Sequence, residues 1–174
     1  VGKFIIEMKF TTSLIKHSDI SEEELSEICI LKAVRWIYTL EQHKKWMTEN
    51  IQPNDFHILV KEDKKPIAYA NLVVVKVLIN NEELYFRGIG NVCTSETGRG
   101  FGNILMEEIN VVLEQNQWKG ILLCKDHLIP YYEKFNWRLI DKYLVKAEKF
   151  SEINFMIYNF EDSITLLKYN DRNF

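Results

Sequence analysis

Apolar positions recur at two spacings along this chain, and each change of spacing marks the edge of an element. Lys3 to Phe10 reads as a first strand. Ser21-Glu22-Glu23-Glu24 then sets a helix start: Ser21 can cap free N–H groups while Glu24, three residues on, reaches back to it. Leu25, Ile28, Cys29, Leu31, Val34, Trp36, Ile37 and Leu40 follow at broadly helical spacing and predict one or two helices ending near Asn50. Pro53-Asn54-Asp55 breaks that pattern. Phe56 to Lys61 reads as a short strand, Glu62-Asp63-Lys64-Lys65-Pro66 as a polar turn, and Ile67 to Ile79 as a long strand. In that long strand Val73, Val75, Val77 and Ile79 share one face and Leu72, Val74 and Leu78 the other, so both faces are expected to be covered.

Asn80-Asn81 tolerates positive φ and suits a tight hairpin into a strand from Leu84 to Cys93. Gly88 and Gly90 inside that strand predict a bulge or a close backbone approach. A helix over Asn103 to Asn116 carries Ile104, Leu105, Ile109, Val112 and Leu113 on one stripe, and Ile121 to Cys124 is a short buried strand. Strand, helix, strand in this order imply a right-handed parallel crossover. Leu128 to Phe135 suits a short helix, with Trp137 to Ile140 and Ile153 to Tyr158 as closing strands. The fold class is α/β (α+β), with antiparallel hairpins before the crossover and a parallel pair around it. No linker, repeat or composition break interrupts the chain, and Tyr143 to Ser151 is a charged connection, so residues 1–174 are expected to form a single domain.

Composition narrows the function. The 22 basic and 25 acidic side chains leave a net charge of −3, which offers nucleic acid no electrostatic footprint. No run approaches the roughly 18 apolar residues of a membrane span. The start of the chain has too short an apolar segment for a signal peptide. Cys29, Cys93 and Cys124 are odd in number and widely spaced, against both a disulfide framework and a zinc site, and the cytoplasm is the simplest location.

The most informative segment is Thr97-Gly98-Arg99-Gly100-Phe101-Gly102, between the second hairpin strand and the following helix. Alternate glycines open backbone conformations closed to other residues and leave no side chain between backbone and ligand. A chain turning there into a helix presents unpaired N–H groups where the helix dipole favours negative charge, which makes a phosphate cradle. The local pattern alone fits a tight connection equally well. A Walker A loop needs Gly-Lys-Ser/Thr, but Gly102 is followed by Asn103-Ile104. The spacing G-x-G-x-G also differs from the dinucleotide fingerprint G-x-G-x-x-G.

This loop after Val92-Cys93-Thr94, together with Tyr131-Tyr132-Glu133-Lys134-Phe135-Asn136-Trp137 after the next strand, resembles the GNAT superfamily of N-acetyltransferases. The matching stretch runs from about Phe56 to Trp137, with a cofactor-binding core over about 84–137. The resemblance implies a splayed sheet flanked by helices and acetyl-CoA (coenzyme A) as cofactor. It implies that backbone N–H groups of Gly98, Arg99, Gly100, Phe101, Gly102 and Asn103 hold the pyrophosphate. Arg99 would add a cation, and Thr97 opens the cradle. Val92 and Thr94 would pair with the pantetheine arm as an added strand would. Tyr132 matches the family's general acid for the departing thiolate, and a thiol and a tyrosine of pKa about 9 to 10 are suited to that exchange. The implied activity is transfer of an acetyl group to a primary amine by direct attack. The expected partner is a small-molecule or peptide amine acceptor, with a homodimer left open and no nucleic acid, membrane or metal expected.

Three departures qualify the match. Thr97 stands where the family has Arg or Gln, Asn136 stands where it has Gly, and Phe86-Arg87-Gly88-Ile89-Gly90-Asn91 lacks the carboxylate many members use as general base. A catalytically silent acyl-CoA-binding module is therefore the alternative. The long hairpin from Ala68 to Tyr85 and the aromatic Tyr169-Asn170-Asp171-Arg172-Asn173-Phe174 tail look closest to the aminoglycoside 2′-N-acetyltransferases and nodulation acyltransferases, so an aminoglycoside or sugar amine, or a longer acyl donor, also stays open. Cys93 reads as a small buried hydrophobe before an acylation site. Asp126-His127 reads as a turn before an acid–base pair. His17, His43 and His57 lack metal-ligand spacing, and Trp36, Trp46 and Trp118 suit core or interface.

Overall fold

A computed structural model describes residues 10–174. Residues 3–9 of the expected first strand lie outside the described residues; the strand that is described, β1, runs Phe10–Lys16. Two helices follow, α1 (Glu22–Arg35) and α2 (Leu40–Asn50). Each starts in a reciprocal capping box, Ser21 with Glu24 and Thr39 with Gln42. β2 (Phe56–Glu62), β3 (Lys65–Ile79) and β4 (Glu82–Thr94) form an antiparallel meander. Both of its turns are two-residue links at positive φ, Asp63-Lys64 and Asn80-Asn81. Pro66, expected in the first turn, instead lies inside β3 opposite Lys61. That is where the β2–β3 register shifts, so the missing N–H coincides with an irregular step in the ladder.

α3 (Phe101–Gln115) crosses from β4 to β5 (Gly120–Cys124), which pairs with β4 in parallel. α4 (Ile129–Glu133), β6 (Arg138–Leu139), β7 (Val145–Lys146), β8 (Asn154–Tyr158) and β9 (Leu167–Lys168) complete the chain. The sheet order is β1-β2-β3-β4-β5-β8-β6, with β9 pairing both β3 and β7. The expected mixed, mostly antiparallel sheet is present, and the connection from Tyr143 to Ser151 contains a short strand.

Strand alternation divides the core in two. Leu59, Tyr69, Val73, Val75 and Val77 pack against Ile28, Cys29, Leu31 and Met47 of α1 and α2. Ile58, Val60, Ala68, Ala70 and Leu72 face Phe101, Leu105, Met106, Ile109 and Leu113 of α3. The second face of β3 is closed only over its first half: Val74 and Leu78 stay partly exposed, against the expectation from their apolar character.

The segment after β9 returns across the α1–α2 side. Tyr169 is fully buried, the Lys76 N–H donates to Asp171 Oδ2 at 2.6 Å, and Arg172 pairs with the buried Asp55 carboxylate. Phe174 then lies over Gly88 and Gly90, where a Cβ would meet its ring at 2.7 Å and its backbone at 2.3 Å respectively. Those glycines are the close approach expected from the sequence.

Candidate active site

Two features of β4 create an opening. β4 and β5 pair only at Arg87–Gly120, Gly88–Ile121 and Ile89–Leu122, after which they continue to Thr94 and Cys124 without pairing. The β5-facing edge of β4 from Gly90 to Thr94 is therefore left without a strand partner. On its other side β4 is bulged, because Asn71 and Tyr69 oppose Gly90 and Cys93. Asn91, in the bulge, has φ 51°, and its Nδ2 donates to Asn71 Oδ1 at 2.7 Å. Val92 and Thr94 lie partly buried on this stretch.

The loop at the end of β4 takes the form its glycines predict. Gly98 and Gly100 have φ of 75° and 77°, and a Cβ on either would meet nothing within 4 Å. Backbone conformation, and not crowding, is what requires glycine here. Gly100 is the N-cap of α3 and contributes no side-chain hydrogen bond. The N–H groups of Asn103 and Ile104 turn back onto the Gly100 carbonyl at 3.0 and 3.2 Å. Those of Gly98 to Gly102 have no partner among the described residues, which is the donor set an anion needs. Thr97 and Arg99 are exposed, with Arg99 held 3.3 Å from Glu96. Phe101 is buried in the core beneath, so only its backbone faces the loop.

Tyr132 projects from α4 into the core on the α3 side and is 8% exposed. Burial, with smaller contributions from Cys124 and Tyr131, pushes its hydroxyl up to about 12, above the value of about 9 to 10 expected to match a thiol, so it keeps its proton at neutral pH and is a weaker acid than the sequence implies. That hydroxyl has no hydrogen-bond partner among the described residues. Tyr131 packs edge-on against Tyr132, and its own hydroxyl lies 2.9 Å from where a Gly102 Cβ would be. The glycine of the cradle thus seats the tyrosine pair. Asn136 at φ 63° does what the expected glycine would do.

Other sequence candidates resolve simply. Burial pushes the Cys93 thiol up to about 12, so it behaves as a small hydrophobe. Asp126 accepts from Asn154 Nδ2 at 2.7 Å and lies near Lys142, with no bond to His127. Among the described residues no three His, Cys, Asp or Glu side chains come together as a metal-ligand group, and none of their helices is long and apolar enough to cross a membrane.

Sequence reasoning missed the cavity of about 510 Å³ on the α1–α2 side of the sheet. Its lining includes Asn91 of the bulge, Trp36, Trp46, Phe174 and Lys32. Lys32 lies four residues after Ile28 on the apolar stripe of α1, a signal that was available in the sequence.

No protein-family model and no curated protein sequence matches the chain. Solved structures do match. The GNAT family N-acetyltransferase YhbS from Escherichia coli, solved in complex with CoA, superposes with a TM-score of 0.63 over 94% of this chain and 91% of that one, at 13% identity. The chain has the GNAT fold. An acyl-CoA N-acyltransferase from Pseudomonas aeruginosa gives 0.62 at 19% identity, covering 86% of this chain and 99% of that one. The ribosomal-protein-S18-alanine N-acetyltransferase of E. coli gives 0.57 at 15% identity, over 86% and 91%. In the GNAT-fold chain described here, the splay, the bulge and the glycine cradle all sit on β4 and the loop that follows it.

Proposed function

We propose that this protein transfers an acetyl group from acetyl-CoA to a primary amine by direct attack. The observation that carries this reading is the unpaired edge of β4 running straight into a cradle of free N–H groups. An extended amide arm ending in a pyrophosphate matches both. Bound there, acetyl-CoA would supply a thioester carbonyl open to an amine and a sulfur that needs a proton on leaving.

The chain's own groups divide the remaining work. Gly98 to Gly102 bind the diphosphate through backbone N–H groups, with Thr97 and Arg99 at the rim and Asn103 closing the turn. Val92 and Thr94 orient the amide arm from the open strand edge. Tyr132, protonated and free of other partners, donates to the departing sulfur as the C–N bond forms and the C–S bond breaks. The proton lost by the amine goes to solvent, because Phe86 to Asn91 of β4 holds no carboxylate to take it, and the Tyr132 phenolate regains its proton from solvent.

Release of CoA thiol across a panel of amines tests the reading. At least one amine should accelerate release, and Tyr132→Phe should lower kcat by about a hundredfold while CoA still binds. Unchanged turnover in that variant would remove Tyr132 from the chemistry. CoA binding with no amine-dependent release would favour a silent binding module, a reading the missing carboxylate supports.

A further inference from the structure

Lys32 is 2% exposed, yet it lines the cavity between α1, α2 and the β4 bulge. Its ammonium sits 4.0 Å from the centre of the Trp46 ring and 5.9 Å from that of Trp36. Among the described residues its hydrogen-bond partner is the Met47 thioether, at 3.7 Å. An ammonium has more donors than one soft acceptor can satisfy. No carboxylate of the described residues lies within ion-pair distance of it. The one acidic side chain lining the cavity, Glu49, is more than half exposed and is paired with Lys45 at 3.8 Å. A buried cation without a counter-anion is costly, and an anionic ligand would relieve it. Burial also pulls the Lys32 pKa down to about 8, the mark of a charge withdrawn from water.

The rest of the lining limits what that ligand is. Trp36, Tyr38, Trp46 and Phe174 give aromatic walls, and Asn91 brings the cavity to the bulged stretch of β4 beside the splay. The volume of about 510 Å³ falls in the ordinary range for a small molecule. Lys45, the other lysine of the lining, is exposed and already paired with Glu49, so one buried cation is left to balance one negative charge, which fits a carboxylate and would leave a phosphate dianion uncompensated. A polycationic aminoglycoside meets the wrong sign of charge.

We infer that the acceptor is a small aromatic amino carboxylate, with its ring against the aromatic walls of the cavity and its carboxylate on the Lys32 ammonium. This rests on the acetyl-transfer reading, because it assigns the amine end of the ligand to the β4 side of the cavity.

The test pairs each acid with its neutral amide on the unmodified protein. With acetyl-CoA, L-phenylalanine should exceed L-phenylalaninamide in kcat/KM by about tenfold or more, the size of one charge-assisted hydrogen bond. Calorimetry on CoA-saturated protein gives a readout without turnover: N-acetyl-L-phenylalanine should bind and its amide should bind at least about tenfold more weakly. Lys32→Met, close in shape and uncharged, should erase the difference between acid and amide. Equal or better binding of the amide overturns the inference while leaving acetyl transfer standing. Failure of the protein to bind CoA at all overturns the acetyl-transfer reading itself, and this inference with it.

Discussion

His57 is fully buried, with its two ring nitrogens 2.9 Å from His17 Nδ1 and 2.8 Å from the Tyr69 hydroxyl. Burial first, then the nearby His17 and Lys32, push its pKa down to about 3. The unfolded chain regains the ordinary value of about 6.5, so below that pH the unfolded state takes up the proton first. The stability associated with neutral His57 is fully present above about pH 6.5 and is lost as pH falls toward 3. Urea unfolding between pH 7 and 4 should show stability falling by up to about 1.4 kcal/mol per pH unit from this group. His57→Gln should flatten that slope; an unchanged slope would mean other groups set acid sensitivity. Lys32 and His57 share a lesson about legibility. The sequence shows each on an apolar stripe, but only packing reveals whether a partner meets it there.

At the scale of elements, the cradle and the return of the tail are both conditioned by glycine. Gly100→Ala would place a Cβ at φ 77°, which costs about 1–2 kcal/mol in the left-handed region with no clash to worsen it. CoA affinity should fall by about 5- to 30-fold as the unbound loop relaxes out of the binding conformation, which is what about 1–2 kcal/mol is worth at a tenfold factor per 1.4 kcal/mol. Gly90→Ala acts differently, since its Cβ would meet Phe174 backbone at 2.3 Å. It should cost about 1–3 kcal/mol in unfolding free energy and make residues 169–174 more open to proteolysis, whereas an unaltered cleavage pattern would contradict the packing. The hairpins, α1 to α3 and the crossover were legible because each carries its own turn residues and periodicity. The strand at Phe10–Lys16 was not, because FTTSLIK has few apolar residues and is held by pairing with β2. β7 and β9 pair over two residues each, too short for any local pattern to declare them.

At the scale of the whole molecule, the motif residues were legible and the space around them was not. Thr97 to Asn103 and Tyr132 lie far enough apart in sequence that only the crossover brings them together, through Tyr131 against Gly102. The cavity is a longer-range construction still, assembled from α1, α2, β4 and the last residues of the described chain. No local signal encodes such a volume, which is why the acceptor could not be read from the sequence. The central claim is that the open edge of β4 and the cradle form a seat for coenzyme A. Calorimetric titration of CoA into the purified protein tests it most directly. One saturable site per chain, weakened about 5- to 30-fold in Gly100→Ala, is the predicted result. No heat of binding, or binding indifferent to that substitution, would contradict it.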